Sequence, residues 1–515
     1  MNILVINLGL RSVRAIVFDT QGNKLAQSWY PVRTTIKGER VEQDPNEWWK
    51  LAQEVIKEVL TDREIKKNIQ AVTITSSACF LVLMDTDGNP IGNSMIVSDK
   101  RSQKQAEMLK NDSRFSDIFS SPNNLAVASY LVPKMIWLKE NDPEVFNRTA
   151  KFISANDFFI YKLTGRYATD PLNAEKFYYN LDTNSYPASI LQYLDINKER
   201  LPEVLPIGFD LGNLREELKI AWGFDHEVKV ILSTYDAICA FWGAGVHEPG
   251  QACNVCGTVT SFRVLSLKSC EAKFGVLSQN FFNTTQKNAY IVGGSNNLDG
   301  GLLEWAKEVF YGDAYPEKYI FNIMEDEASL SHPGAHGLIF LPYLLGERMP
   351  FYDSNVRGMF FGLERHHSRK DLIRSIFESS GFLAMSIMEA IESLGVEVNQ
   401  IRLSGGLSRN NLIYQIRADI TGRDVYLIEE TETTALGAFI ILAVSLGIFS
   451  DFKAAAQIVK IKKIFTPDLA AHYKYEHLHR LFKDLYNDTS KSFLRRLDLL
   501  QKLEAQDDQY IIENL

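Results

Sequence analysis

Val228-Lys229-Val230-Ile231-Leu232-Ser233-Thr234-Tyr235-Asp236-Ala237 is the stretch that decides how this chain is read. Its first five residues form a short, mostly apolar run of the kind that makes a buried strand. The carboxylate of Asp236 then falls at the strand's end, where α/β proteins place their chemistry. Ala240 and Gly243-Ala244-Gly245 follow, and Gly257-Thr258 stand further along. A carboxylate near a Gly-Thr turn suited to phosphate suggests a base for a hydroxyl held beside a nucleotide. A capping Asp at a strand–helix junction accounts for the segment alone equally well.

Working outward, the first residues repeat the α/β theme. Asn2 to Asn7 is an apolar run, Gly9 to Ser12 a turn, and Ala15 to Phe18 a second run before the hairpin turn Asp19-Thr20-Gln21-Gly22. Asp44-Pro45-Asn46-Glu47 has the form of an N-cap with Pro at the first helical position, so a helix is expected over Trp48 to Leu60. Strands are expected at Ile69 to Thr75 and Leu81 to Met84. The later half shows a hairpin over Gln251 to Val264 and a helix over Gly300 to Phe310. It continues with a strand at Ile339 to Pro342, a strand at Ile401 to Leu403 entering Ser404-Gly405-Gly406, and a helix over Asn410 to Ile420. Hairpins followed by β-α units in both halves predict a duplicated α/β domain with a cleft between the copies. The turn cluster His247-Glu248-Pro249-Gly250 places the boundary, giving domains 1–247 and 248–515, with a helical tail from about residue 466. Ala471 to Leu500 reads as one long helix packed on the second domain.

The bulk numbers agree with such an architecture. A chain of 515 residues, 45% hydrophobic and 23% charged, is expected to be a soluble protein of two domains. The net charge is -9, from 55 Lys+Arg and 64 Asp+Glu, which gives no reason to expect nucleic acid or an anionic membrane as partner. Met1 to Ile6 enters a strand directly, without the pattern of a secretory signal. The uncharged run Ala435 to Phe449 is shorter than the roughly 20 residues that span a bilayer, so a buried helix is expected there. Five cysteines, an odd and sparse set, point to the cytoplasm, and Cys253 and Cys256 read as structural thiols.

Ordered motifs then give the chain a family likeness. They are Glu42-Gln43-Asp44-Pro45-Asn46-Glu47-Trp48-Trp49, Asp99-Lys100-Arg101, Pro133-Lys134-Met135-Ile136-Trp137-Leu138, Lys162-Leu163-Thr164-Gly165 and Asp236. After them come Gly257-Thr258, Tyr343 to Pro350, Gly405-Gly406 with Asn410, and Ala435-Leu436-Gly437-Ala438. In this order they resemble the FGGY carbohydrate kinases. The resemblance implies two copies of the actin-like (ribonuclease H-like) ATPase fold and ATP-dependent phosphorylation of a sugar or polyol hydroxyl, with Mg²⁺. It makes Asp236 the catalytic base and assigns nucleotide contacts to Gly9, Ser12, Arg14, Gly257, Thr258, Gly300, Glu304, Gly405, Gly406 and Asn410. Acceptor contacts fall on Ser77, Ala78, Cys79, Asp99, Arg101 and Ala237, and metal contacts on Asn7 and Asp236. A homodimer is the implied assembly, since many members self-associate. Glu304 stands where some relatives have Gln, and its other reading is a helix-surface acid.

Two departures matter. The family's first loop is Asp-x-Gly-Thr with hydroxyl residues and Arg, whereas this chain has Asn7-Leu8-Gly9-Leu10-Arg11-Ser12-Val13-Arg14. An amide at Asn7 brings no charge to a metal, and Leu10 brings no hydroxyl to a phosphate. Ser77-Ala78-Cys79 and Ala237 replace polar residues of relatives, so a different acceptor is expected. The segment Glu42 to Trp49 is most like xylulokinase, which makes a ketopentose the first acceptor to test. The altered loop leaves a second reading open: a kinase-fold protein of weak or no phosphotransfer that binds a ligand or regulates a partner.

Overall fold

The computed structural model describes the chain apart from residues 120–123, 257–259, 282–288, 299, 313–315, 406–410 and 515; at 281, 317, 318, 405 and 504–514 only the backbone is described. The chain forms two compact units: Met1–His247 with Glu432–Val459, and Glu248–Phe281 with Asn288–Thr431 and Lys460–Leu515.

The first unit is built on strands β1 (Asn2–Leu8), β2 (Ser12–Asp19), β3 (Lys24–Pro31), β4 (Ile69–Ser76), β5 (Asp210–Asn213) and β6 (Lys229–Ile231), in sheet order β5-β6-β4-β1-β2-β3. All seven residues of β1 are buried, because the sheet is covered on both faces and the strand is apolar nearly throughout. Strands β1, β4 and β6 are parallel, with Asn7 opposite Thr75 and Ile231 opposite Thr73. Their carboxyl ends therefore open on one side of the sheet, carrying Asn7, Ser77 and the segment that leads to Asp236. Helix Pro45–Val59 starts where the sequence indicates, with the Asp44 side chain accepting from the Asn46 N–H and Pro at the first turn. Trp48 Nε1 donates to Gln43 Oε1 at 3.0 Å, and Gln43 Nε2 donates to the Leu10 carbonyl at 2.9 Å. The Glu42 to Trp49 motif thus fastens the loop that follows β1.

Helix Thr433–Ser445 corrects the expected continuous second domain 248–515, because Glu432–Val459 belongs to the first unit. The apolar run is a buried helix, as read, but its partner is the helix Asp236–Gly243 that carries the candidate base. A Cβ at Gly437 would sit 1.7 Å from the Cys239 carbonyl oxygen, and one at Gly243 1.8 Å from that of Thr433. Only glycine lets the two backbones approach so closely. No helix among the described residues is long and apolar enough to cross a membrane.

The second unit has β7 (Gln251–Cys256), β8 (Thr260–Ser266), β9 (Leu277–Phe281), β10 (Ala289–Asn296), β11 (Gln400–Gly405), β12 (Asp424–Ile428) and β13 (Ile461–Phe465), in sheet order β9-β10-β8-β7-β11-β12-β13. As in the first unit, an antiparallel hairpin leads into parallel strands (β7, β11, β12) and an antiparallel edge. The repeat is one of topology, with β9 as an addition. The tail is helical from Leu469 to Asn514, longer at both ends than expected. It is anchored in this unit by Tyr475, whose hydroxyl donates to Glu378 at 2.7 Å and accepts from Arg374 at 2.8 Å, both buried.

Candidate active site

Asp236 is the first residue of helix Asp236–Gly243, where helical N–H groups favour negative charge. It is half-buried. Its Oδ2 accepts from Ser77 Oγ at 2.6 Å and its Oδ1 from the Ala237 N–H at 2.7 Å. The bond from Ser77 is charge-assisted and fixes the carboxylate across the carboxyl ends of β4 and β6. Two residues before Asp236, Thr234 Oγ1 donates to Asp170 Oδ1 at 2.8 Å, and Asp170 is itself buried and caps the short helix Pro171–Ala174. The loop before Asp236 is thus tied to the helix that Asp170 caps.

Ser77, Ala237 and Asp236 are brought together as expected. Ala78 is half-buried beside them, and Cys79 is buried in the left-handed region at φ 65°, a turn a non-glycine residue holds only when its surroundings enforce it. Lys134 enforces it. Its ammonium is buried and donates to the carbonyls of Cys79, Met95 and Ile96 at 2.6, 3.1 and 2.9 Å. Burial brings its pKa down to about 8 and pushes the Cys79 thiol up. The sequence placed Lys134 within a motif without giving it this task.

The remaining acceptor candidates form a separate cluster. Asp99 is buried and accepts from the Val41 N–H at 2.9 Å and from Arg101 Nη2 at 2.8 Å. Arg101 also donates to Glu42 at 2.6 Å and lies over the Trp137 ring at 4.7 Å. With 0% side-chain exposure, the Asp99 carboxylate is engaged by these bonds and holds Arg101 and the Val41 backbone in place.

At the first loop, the Gly9 N–H donates to the Ser12 carbonyl at 2.9 Å, closing the turn, while Leu10 and Arg11 face solvent. Arg14 Nε donates to Ser12 Oγ at 3.1 Å, and Arg14 Nη1 pairs with Glu432 at 2.8 Å. Asn7 is buried, and among the described residues no donor reaches its Oδ1. A buried carbonyl oxygen left without a partner, at the carboxyl end of β1 on the side of the sheet that also carries Asp236, is a hard-oxygen donor of the kind that suits Mg²⁺.

Of the nucleotide candidates in the second unit, Gly257, Thr258, Gly406 and Asn410 lie outside the described residues. Gly405 closes β11, and its register partner is Cys256, the last residue of β7. Gly300 opens the helix Gly300–Phe310, and Glu304, one turn on, is exposed and paired with Lys307 at 2.7 Å, the surface-acid reading. Cys253 and Cys256 are buried thiols outside any disulfide; burial pushes Cys253 up to about 12, which makes it an inert packing residue.

Comparison with known proteins gives the site its setting. The N-terminal domain of the FGGY family of carbohydrate kinases matches residues 2–243, and the C-terminal domain of that family matches residues 252–446. A xylulose kinase of Staphylococcus epidermidis is 26% identical over 500 residues, 95% of this chain and 97% of that protein. A glycerol kinase of Clostridium beijerinckii is 28% identical over 497 residues, 93% of this chain and 97% of that one. The crystal structure of ligand-bound xylulose kinase from Lactobacillus acidophilus matches with a TM-score of 0.86 at 24% identity, covering 96% of this chain and 99% of its own. Fold and site define a class, the two-domain actin-like enzymes that pass phosphate from ATP to an alcohol. The chain belongs to the FGGY family of carbohydrate kinases.

Proposed function

We propose that Asp236 is the general base of this kinase and that a ketopentose, xylulose first, is the acceptor to test. The observation that carries the first part is the Asp236 carboxylate, half-buried at the parallel strand ends and held by Ser77 at 2.6 Å. Support for the second comes from the xylulose kinases that are similar over nearly the whole chain.

Phosphoryl transfer asks for in-line positioning and charge neutralisation more than for covalent chemistry. The acceptor hydroxyl donates to Asp236, and its proton passes to the carboxylate as the oxygen–phosphorus bond forms. Ser77 and the Ala237 N–H keep the receiving oxygens aimed. Gly257, Thr258, Gly300, Gly405, Gly406 and Asn410 are assigned to the nucleotide, where glycine lets backbone N–H groups come close to phosphate. Asn7 and Asp236 would hold Mg²⁺, which when bound neutralises phosphate charge. Replacing Asn7 by Asp adds a full charge at that position. Asn7→Asp should reduce severalfold the Mg²⁺ concentration that gives half-maximal activity; an unchanged titration removes Asn7 from the metal site. Buried thiols that form no disulfide favour a cytoplasmic setting.

An ADP-release screen with ATP and a panel of ketoses, aldoses, polyols and sugar acids tests the reading. Acceptor-dependent turnover on one class is expected, with ketopentoses the first class to be tried because the similar relatives include xylulose kinases. Nucleotide binding with no acceptor-dependent ADP release would favour a ligand-binding role, the alternative to which exposed Leu10 in the first loop points.

A further inference from the structure

Lys176 is a buried ammonium with no work in the account so far. Its Nζ lies 5.2 Å from the centre of the Tyr130 ring and 5.3 Å from that of Tyr235, the residue before Asp236. Among the described residues, no hydrogen-bond acceptor and no carboxylate within ion-pairing distance serves it. The other buried cations nearby are spent: Lys134 on three carbonyls, Arg101 on Asp99 and Glu42. Two aromatic faces restore part of the solvation an ammonium loses on burial, and buried charges are otherwise paired.

The surroundings supply only part of the missing charge at neutral pH. Burial raises Tyr130 to about 12 and raises the Cys79 thiol, so both are neutral. Glu175, the chain neighbour, is raised to about 7 by burial, against the pull of Lys176, so it brings a fraction of a charge. Tyr235 adjoins Asp236 in the chain, so the cation lies beside the loop that carries the base, which Ser77 holds at 2.6 Å.

We propose that Lys176 is the acceptor-recognition residue and that the acceptor class it selects is the polyhydroxy carboxylates, whose carboxylate binds the ammonium between Tyr130 and Tyr235 while a hydroxyl at the far end meets Asp236. The proposal rests on the reading of Asp236 as base. It bears on the acceptor alone and ranks sugar acids above the ketopentose named as the first compound to test: a neutral ketopentose leaves Lys176 with only the partly ionised Glu175 as counter-charge. A carboxylate directly at Asp236 is repelled, so the two ends of the acceptor are sorted by charge.

The test compares acceptors matched in carbon number, an aldonate against its alditol and a neutral ketose, in unmodified protein and in Lys176→Gln and Lys176→Arg. The expected result is a kcat/KM for the aldonate at least tenfold above its neutral counterparts in the unmodified protein. Lys176→Gln should collapse that ratio, chiefly through KM, and Lys176→Arg should retain part of it. Preference for the neutral partner, a ratio that Lys176→Gln leaves in place, or failure of any sugar acid to bind or turn over would each overturn the proposal. The unmodified protein decides even where Lys176→Gln fails to fold. Asp236→Ala keeps the underlying reading separate: it removes turnover of every acceptor if that reading holds, and normal turnover there indicts the base, not Lys176.

Discussion

At the scale of single residues, the account turns on how a carboxylate is aimed. Ser77 Oγ donates to Asp236 at 2.6 Å, and Ser77 is buried, so water replaces it poorly. Ser77→Ala removes one charge-assisted bond, a contribution of about 1.5–3 kcal/mol to the group it holds. The expected outcome is a tenfold to hundredfold fall in kcat with little change in the KM for ATP; unchanged kcat would free Asp236 from dependence on Ser77. Asp236 itself was legible because an apolar run ending in Ser-Thr-Tyr-Asp marks a strand end. Lys176 was not, since its neighbours Tyr130 and Tyr235 come from distant parts of the chain. Arg14 was readable as a loop cation but not as the partner of Glu432, 418 positions away.

At the scale of elements, turns and caps were legible and packing partners were not. The Asp44-Pro45 cap and the turn at Gly22 follow from local chemistry. The backbone contact between the helices of Asp236 and Gly437 depends on glycines nearly two hundred positions apart, and no periodicity reveals it. The loop after the strand Ile339–Leu341 carries a titration that can be checked. Glu347 accepts from the Asn297 and Arg348 N–H groups at 2.9 and 2.7 Å, yet burial lifts its pKa from the ordinary 4.5 to about 7. A carboxyl with a raised folded-state pKa lends stability fully below the unfolded value and loses it as pH climbs through about 7. Relative to Glu347→Gln, the unfolding free energy of the unmodified protein should therefore fall by ~2–3 kcal/mol between about pH 5 and pH 8. Urea melts of both proteins at the two pH values measure this, and parallel behaviour would show that Glu347 titrates normally.

At the scale of the whole molecule, the doubled α/β plan was legible from the order of hairpins and β-α units. The return of Glu432–Val459 to the first unit was not, because an apolar helix says only that it is buried, not by what. Membership of the FGGY family of carbohydrate kinases fixes the class of reaction. On the proposals above, the acceptor is read by the residues around Cys79, where small side chains lie near the buried Lys176. The most direct measurement is single-turnover ADP formation by Asp236→Ala with saturating ATP and the acceptor the screen identifies. The account predicts a rate at least a thousandfold below that of the unmodified protein, with nucleotide affinity within a few fold. A variant that turns over near the unmodified rate would contradict it, leaving Asp236 a helix-capping residue.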